Sequence, residues 1–383
     1  MRRSSFQPGM ASQLVGISRS DPEVVAFVPS PLPPILSWTM QLADVLSRAD
    51  RALGKLNGMA ANLPHPQVLV APLRRREAVL SSRIEGTRAT ISDLLLFEAS
   101  GVERGTADDS REVSGYLDAM EEGLQALQTL PMSLRLIRGM HRTLMSFDPT
   151  GGKAPGEFRR VQNYIGSGRG GIESATYVPP PPAEMQGCLQ DLERYLNTAA
   201  GTPVLVRAAL MHYQFEAIHP FLDGNGRVGR LLIVLLLCAE GALAGPLLYL
   251  SDYIERTRTE YYERLLRVST HGDWTGWIEY ILRGTEASAL EGVELAGKLL
   301  RLRDSYRTRL STGRSAALTV RLAESLFVRP ALTIEQAGAT LGVTPRGAAV
   351  HVTRLVKAGI LKESTGRQRY RVFLASEIAQ LLA

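Results

Sequence analysis

The stretch from Ile218 to Leu232 combines phosphate-binding groups with a side chain that exchanges protons near neutral pH. Its sequence, IHPFLDGNGRVGRLL, holds one histidine, one aspartate, three glycines, one asparagine and two arginines. Histidine is the side chain whose unperturbed pKa lies nearest neutrality, so His219 is a candidate general base. The lone carboxylate, Asp223, suits a Mg²⁺ ion that is shared with substrate phosphates.

The almost purely apolar run after Arg230 predicts a buried helix over residues 227–240. The first N–H groups of a helix lack an acceptor within it, and the preceding DGNG has no bulky side chain to cover them. Such a turn forms a backbone nest that suits an anion, and the helix dipole adds to the attraction. Arg227 and Arg230 lie one turn apart, so both can grip the same phosphate.

Each of these features alone also fits a structural role. A histidine beside a core helix is commonly a hydrogen bonder, DGNG is a common turn, and arginines near a helix start are usually solvated. The P-loop consensus GxxxxGK[ST] is absent from the sequence, which argues against a Walker-type nucleotidase. What predicts a functional site is therefore the order of the whole string.

The string HPFLDGNGRVGR, residues 219–230, resembles the signature of the Fic family, HPFx[DE]GNGRxxR, at every specified position. The resemblance extends over most of the chain through PLPPILSW, LRRREAVLSSRIEGT, the region around residues 156–182 and the C-terminal segment. It implies a mainly α fold class, with a Fic-type helical core, a small β-hairpin flap and a C-terminal winged helix-turn-helix domain. It also implies transfer of AMP from ATP to a Ser, Thr or Tyr hydroxyl of a target protein, or of the chain itself.

The resemblance assigns a role to each position of the signature. His219 is expected to deprotonate the target hydroxyl, Asp223 to hold Mg²⁺, and Arg230 to reach the terminal phosphate. The other residues expected to bind ATP are Gly224, Asn225, Gly226, Arg227, Val228 and Gly229. Tyr261 and Tyr262 lie in YYERL, which resembles a family segment beside the adenine, although packing in a helical core explains them equally well.

The segment SSRIEG, residues 81–86, resembles the family's inhibitory motif, [ST]xxxE[GN]. There Glu85 is expected to pair with Arg230, and Ser81, one turn earlier, to orient the carboxylate. A glutamate at a helix C-terminus is unfavourable by a few tenths of a kcal/mol up to about 1 kcal/mol, which a partner cation would offset. A solvated helix-end glutamate is the alternative.

Two strand-like runs, residues 160–165 and 174–178, flank the glycine-rich GSGRGG and predict a β-hairpin that Pro179 ends. This hairpin would serve as a flap whose edge pairs with an extended segment of a target protein. The candidate docking residues are Thr176 and Tyr177. A plain surface hairpin explains the pattern as well.

The C-terminal third is basic, because residues 301–383 contain 14 Lys and Arg against 5 Asp and Glu. A helix, a tight turn, a second helix and two short strands predict a winged helix-turn-helix there. Its second helix carries Arg346, His351, Arg354 and Lys357, and its wing carries Arg367, Arg369 and Arg371. These groups suit DNA, but winged helices also serve in protein contacts or dimerisation.

The sequence predicts a tail, a regulatory region, a core and a basic module. The expected boundaries are a flexible N-terminal tail (1–30), a helical region with the inhibitory helix (31–110), the Fic catalytic core (111–285), a connecting helix and linker (286–316), and the winged helix-turn-helix domain (317–383). The longest apolar run is well short of the roughly 18 residues of a membrane span.

The remaining sequence features bear on location and on alternative functions. The N-terminus has no apolar signal region, and two unclustered cysteines fit a reducing compartment, so a cytoplasmic protein without membrane contact is expected. The oligomeric state stays open, with a homodimer as one candidate. Two other functions remain: a DNA-binding regulator whose core senses nucleotide, and removal of AMP with Glu85 orienting a water.

Overall fold

The computed structural model of the chain is mainly α-helical, which confirms the expected fold class. It describes residues 1–18, 21–61, 63, 65–101, 107–147, 152–166, 171–198, 201–311, 316–367 and 369–383. The chain separates into two units. The first comprises Met1–Gly54, Asp118–Ala244 and Leu250–Ser288, and the second comprises Lys55–Leu117, Gly245–Tyr249 and Ala289–Ala383.

The helices and strands follow one another along the chain. The helices are α1 (Met40–Ala61), α2 (Gln67–Ile84), α3 (Ile91–Ser100), α4 (Ala107–Ala126), α5 (Leu134–Leu144), α6 (Pro182–Thr198), α7 (Val204–Ile218), α8 (Asn225–Ala239), α9 (Ser251–Arg256), α10 (Arg258–His271), α11 (Trp274–Leu310), α12 (Ala316–Ser325), α13 (Ile334–Leu341), α14 (Pro345–Lys357) and α15 (Ser376–Leu382). The strands are β1 (Leu14–Gly16), β2 (Val25–Phe27), β3 (Ala331–Thr333), β4 (Lys362–Glu363) and β5 (Val372–Leu374). No helix among the described residues is both long enough and apolar enough to span a membrane.

Helix α8 is the centre of the first unit. Its side chains from Val228 to Leu237 are buried, as its nearly continuous apolar sequence predicts. Helices α7 and α5 pack against it, and α6 and α10 pack against α7. The residues that precede α8 are thus held by helices that cannot move without disrupting the core.

Residues 1–30 are not an unstructured tail where the structure describes them. Strand β1 pairs antiparallel with β2, with Leu14 opposite Phe27. The run VVAF, residues 24–27, is buried, and the Phe6 ring stacks on the Phe27 ring at 5.9 Å. The expectation of a tail is therefore wrong, because this apolar run is long enough to form a strand of the first unit.

In the described parts of the predicted hairpin, the pairing is a single β-bridge between Ile165 and Tyr177. A 3₁₀ turn occupies Gly171–Ser174, and residues 167–170 of the glycine-rich stretch lie outside the described residues. Residues 160–165 are held by side-chain hydrogen bonds to other segments. Gln162 Nε2 donates to the Pro179 carbonyl at 2.9 Å, and Asn163 Nδ2 donates to the Phe221 carbonyl at 3.2 Å.

The second unit contains the C-terminal elements in the order that the sequence predicts. Thr333 caps α13 through a reciprocal pair of hydrogen bonds with Gln336, and Gly342 ends that helix at φ 71°. Helix α14 follows, and β4 and β5 then pair antiparallel in a sheet of order β3–β5–β4. Two of the expected domain boundaries, at residues 110/111 and 285/286, lie inside α4 and α11. The expected division into domains stays a prediction.

The burial of Phe27 gives a test of the N-terminal strand. Phe27 is 2% exposed, and Phe27→Ala is expected to lower the free energy of unfolding by about 3 kcal/mol through lost burial and a cavity. Urea unfolding followed by circular dichroism measures the change. Ile35→Ala is the control, since Ile35 is fully exposed and should change stability by less than about 0.5 kcal/mol. Equal effects of the two substitutions would show that residues 24–27 are not packed in solution.

Candidate functional site

His219 is the residue at which α7 ends. Its backbone lies in the left-handed region (φ 48°, ψ 60°), and its N–H donates to the Phe215 carbonyl at 3.0 Å. A non-glycine residue in this region costs about 1–2 kcal/mol. The imidazole is half-buried, and residues 219–224 form the turn that leads to α8. The candidate base thus occupies a strained position that its surroundings must maintain.

Arg159 is a buried cation that holds this strained corner. Its Nε donates to the His219 carbonyl at 2.9 Å, and its Nη2 donates to the Pro180 carbonyl at 2.5 Å. Its backbone N–H donates to the Pro220 carbonyl at 2.9 Å. Burial lowers the pKa of the guanidinium to about 10, so it stays charged at neutral pH. No sequence signal distinguishes this role, because Arg159 and the exposed Arg160 are adjacent arginines in GEFRR.

Asn225 closes the turn with its side chain. The amide Oδ1 accepts from the Phe221 N–H at 2.9 Å, and Nδ2 donates to the Phe221 carbonyl at 2.9 Å. The amide is buried, so both bonds are shielded from water. The side chain of Asn225 therefore builds the turn, and its backbone N–H is what it can offer to an anion.

Gly224 begins the helix in a conformation and a space that favour glycine. Its φ is 77°, and an added Cβ would lie 3.1 Å from Met145 Sδ. The first bond of α8 runs from the Val228 N–H to the Gly224 carbonyl at 3.1 Å. The N–H groups of residues 225–227 consequently have no acceptor within the helix, which is the geometry of an anion site.

The structure assigns packing roles to Val228 and Gly229. The Val228 side chain is buried, and a Cβ at Gly229 would lie 3.2 Å from the His212 ring and still closer to the Glu216 carboxylate. Glycine at 229 thus allows α8 to approach α7. Both residues therefore pack α8 against its neighbours, and their expected contact with ATP stays a prediction.

His141 is a second histidine that holds the turn. Its ring stacks on the Phe221 ring at 3.6 Å with an interplanar angle of 5°. The Gly156 N–H donates to Nδ1 at 2.8 Å, so Nε2 carries the proton and donates to the Asp223 carbonyl at 3.0 Å. Burial, with a smaller contribution from the nearby Arg227 charge, lowers the pKa of His141 to about 4. Sequence reasoning missed this residue, because a lone histidine in a helical pattern carries no signal.

Asp223 is an ionised carboxylate surrounded by donors. Lys153 Nζ lies 2.8 Å from Oδ2, the Gly224 N–H donates to Oδ1 at 2.6 Å, and Arg227 Nη2 lies 3.6 Å from Oδ1. Burial raises the pKa of Asp223, but Lys153, Arg227 and the Gly224 N–H together hold it below its usual value. The charged form is therefore favoured at neutral pH.

The donor set at Asp223 fits a hard divalent cation only in part. The described residues contain no group of three or more His, Cys, Asp and Glu side chains that could ligate a metal. A Mg²⁺ ion commonly binds through one carboxylate, with phosphate oxygens and water completing its octahedron. The residues present thus fit a cation that arrives with a phosphorylated substrate.

Arg227 and Arg230 are both buried on α8, at 1% and 3% exposure. The Arg227 guanidinium lies 6.0 Å from the centre of the Phe147 ring. Burial lowers the pKa of His212 to about 3, and the positive charge of Arg230 contributes. This burial rules out the alternative of two solvated arginines near a helix start.

The two candidate adenine-side tyrosines are in different environments. Tyr261 is buried, and its hydroxyl lies 2.9 Å from His212 Nε2. Its ring also packs near Trp277, with centroids 5.9 Å apart. Tyr262 is exposed, with the Arg258 guanidinium 5.9 Å from its ring. Tyr261 thus contributes to the core, and only Tyr262 offers an accessible side chain.

The two candidate docking residues, Thr176 and Tyr177, also differ in burial. The Tyr177 hydroxyl donates to the Ala217 carbonyl at 2.8 Å inside the first unit, and burial raises the pKa of this phenol well above its usual value. Thr176 is exposed, but its N–H donates to the Ile165 carbonyl at 2.8 Å. The next residue, Val178, accepts a hydrogen bond from the Phe27 N–H at 2.9 Å. Docking at residues 176–177 stays a prediction, and the Tyr177 side chain is unsuited to it.

Glu85 and Ser81 lie at the end of α2, in the second unit. The helix ends at Ile84, and Glu85 caps it at φ −85° and ψ −4°, with an exposed side chain. Gly86 follows at φ 110°, and Ser81 is fully buried. The sequence thus correctly placed a carboxylate at the negative end of the helix dipole.

Two family matches cover the region that contains these residues. The Fic/DOC family N-terminal domain matches residues 43–125, and the Fic/DOC family domain matches residues 131–237. The chain belongs to the Fic/DOC family. In this Fic chain, the second match contains the turn and nearly all of α8, and the first match contains Glu85.

Relatives and solved structures agree with that membership. The Fic chain is 31% identical to the protein adenylyltransferase Fic of Drosophila willistoni over 265 residues, 66% of this chain and 49% of that protein. The Drosophila erecta protein of the same name is 31% identical over 265 residues, with 66% and 50% covered. The chain thus spans about half the length of the curated relatives it matches.

Two solved structures share the fold. A Fic family protein from Desulfovibrio desulfuricans G20 superposes with a TM-score of 0.58 at 18% identity, covering 90% of this chain and 98% of that one. Fic-1 from C. elegans superposes with a TM-score of 0.53 at 24% identity, covering 67% and 74%. At these identities the likeness establishes the fold.

The Fic chain is expected to lose stability in acid, because it buries His212 as a neutral imidazole. The folded pKa is about 3, against about 6.5 in the unfolded chain. Below pH ~6.5 the unfolded chain binds more protons, so the free energy of unfolding falls as the pH drops toward 3. At about pH 5 the loss from this histidine is about 2 kcal/mol.

Urea unfolding at about pH 7 and pH 5 measures this effect in wild type and in His212→Gln. The variant cannot be protonated there, so it should lose about 2 kcal/mol less than wild type over the interval. Met211→Leu is the control, since this buried neighbour does not titrate and should follow wild type. Parallel losses in all three proteins would contradict a buried, neutral His212.

Proposed function

We propose that the Fic chain is a protein adenylyltransferase, which transfers AMP from ATP to a Ser, Thr or Tyr hydroxyl of a target protein and of itself. The observation that carries this proposal is one short turn with His219 at one end and, at the other, the first N–H groups of α8, which have no acceptor within the helix. Asp223 lies within that turn, and two buried arginines follow it on α8. The name of the Drosophila relatives supports the same chemistry.

In the proposed reaction, His219 accepts the proton of the target hydroxyl as its oxygen attacks the α-phosphorus of ATP. The bond from the α-phosphorus to the bridging oxygen breaks, and pyrophosphate carries the electron pair away. The N–H groups at the start of α8 and the Arg227 guanidinium stabilise the charge that grows on the phosphate oxygens. Arg230 binds the terminal phosphate. Mg²⁺, when bound at Asp223, supplies further neutralisation of the phosphates.

The proposal includes restraint by Glu85, which would pair with Arg230 and oppose binding of the terminal phosphate. Its support is the resemblance of SSRIEG to the inhibitory motif and the position of Glu85 at the C-terminus of α2, where its charge is unfavourable without a cation. Ser81, one turn earlier, would orient the carboxylate. Two unclustered free cysteines support a cytoplasmic location.

Label incorporation from α-³²P-ATP with Mg²⁺ tests the transferase, its base and its restraint together. Glu85→Gly is expected to label itself about tenfold more than wild type, a size typical of coupling between a regulatory group and a site. Adding His219→Ala should reduce labelling at least about a hundredfold by removing the base. Arg83→Gly is the control, because it loosens the same helix end and keeps the carboxylate. If no variant incorporates label, self-adenylylation is excluded, and a different donor nucleotide or AMP removal takes its place.

We also propose that the second unit binds DNA through α14, because one face of this helix is exposed and basic. Arg346, Arg354 and Lys357 are exposed, as are Arg367, Arg369 and Arg371 in the loop between β4 and β5. His351, named with them from the sequence, is buried, and its Nδ1 lies 2.9 Å from the Thr319 hydroxyl. It therefore belongs to the core of this unit and not to the basic face.

An electrophoretic band shift at two salt concentrations tests DNA binding. Arg354→Ala/Lys357→Ala should weaken binding at every salt concentration and lower the slope of log K against log [salt] by about 2, one for each lost phosphate contact. Lys298→Ala, an exposed lysine on α11 paired with Glu294, is the control. Absence of a shift for wild type at about 50 mM salt would reject the proposal in favour of a protein-binding role.

A further inference from the structure

The carboxylate of Asp223, which the proposed function uses for Mg²⁺, has a lysine ammonium against it in this structure. Lys153 Nζ lies 2.8 Å from Oδ2. Lys153 precedes the Gly156–Arg159 segment and is not part of the signature, so nothing in the sequence pointed to it. The lysine is far from Asp223 in the chain and comes to it only through the fold.

Of the three donors around Asp223, Lys153 is the one that can leave. The Gly224 N–H is part of the turn, and Arg227 is 1% exposed within the core. The Lys153 side chain is 38% exposed and Asp223 is 42% exposed, so water reaches both. A flexible chain of about four carbons carries the ammonium, so its charge can move.

The surroundings of Lys153 place it beside the anion site. Its Nζ lies 5.3 Å from the centre of the Phe147 ring, and the Arg227 guanidinium lies 6.0 Å from the same ring. Arg227 belongs to the first turn of α8, whose N–H groups form the nest. The ammonium is thus close to the place where the proposed function puts phosphates.

We propose that Lys153 stands in for the metal ion at Asp223 and exchanges with it. In the absence of a divalent cation, Lys153 neutralises the carboxylate, so the negative charge of Asp223 does not repel a polyphosphate. When a divalent cation takes Oδ2, it displaces the ammonium, because two cations compete for one oxygen and repel each other. This inference rests on the proposed nucleotide site.

The exchange predicts that nucleotide binding depends only weakly on metal in wild type and strongly without the lysine charge. Calorimetric titration with ADP, in EDTA and in excess Mg²⁺, measures both affinities. Lys153→Met should weaken metal-free binding about tenfold, the size of a lost charge-assisted interaction, and weaken Mg²⁺-ADP binding by less than about threefold. Lys153→Arg, which keeps the charge, should resemble wild type. Lys298→Met removes a lysine from a comparable ion pair at 2.7 Å on α11 and should change neither affinity.

Each other outcome overturns the inference. Equal weakening with and without Mg²⁺ would make Lys153 a plain phosphate ligand, and no weakening in either condition would make it a surface lysine. Thermal unfolding of each variant checks that the fold is kept. If wild type fails to bind ADP even with Mg²⁺, the proposed nucleotide site fails as well. If wild type binds ADP with the expected pattern but incorporates no label from ATP, only the proposed transferase activity fails.

Discussion

Two hydrogen bonds between the side-chain amide of Asn225 and the backbone of Phe221 fix the geometry on which the whole site depends. They close the turn between α7 and α8, so the nest, the carboxylate and the imidazole keep set positions on one short segment. Because the amide is buried, its loss would leave the Phe221 N–H without this acceptor, at a cost of about 1–3 kcal/mol, while the Phe221 carbonyl would keep its bond from Asn163. An anion bound as the proposed function requires would therefore meet N–H groups that are already oriented, and little ordering entropy would be lost on binding.

The turn is strained at one end, and buried polar side chains from other segments compensate. His219 adopts a left-handed backbone, while Arg159 donates to its carbonyl and His141 donates to the carbonyl of Asp223. Each of these donors is itself held, Arg159 by several carbonyls and His141 by the Gly156 N–H and the Phe221 ring. A strained backbone that is held by several buried hydrogen bonds is typical of active sites. A relaxed turn would leave the imidazole in many orientations.

Local signals in the sequence were enough to predict the turn and the helix that follows it. Contacts between residues far apart in the chain could not be predicted from such signals. The glycine at 224, the apolar run of α8 and the Thr333 cap are read from neighbouring residues, and the structure has all three. Arg159 and His141 act on residues 60 and 82 positions away, so before folding they resemble any other arginine or histidine. The same limit explains why the burial of Tyr177 was not predicted. The strand-like pattern predicts an extended segment, but it does not say that the Phe27 ring will lie 6.4 Å from the Tyr177 ring.

The burial of α8 answers the question of why phosphate-binding groups stand at the start of so apolar a helix. Its leucines fix the helix in the core, so Arg227 and Arg230 cannot turn out to water, and their charges are desolvated. With the positive end of the helix dipole, they concentrate positive charge around the start of α8. Electrostatic attraction is stronger in such surroundings than in water, so a polyphosphate gains more here than on an exposed helix start. The apolar sequence of α8 is consequently part of the proposed site, because it supplies the low-dielectric setting in which the two arginines and the N–H groups of residues 225–227 would hold an anion.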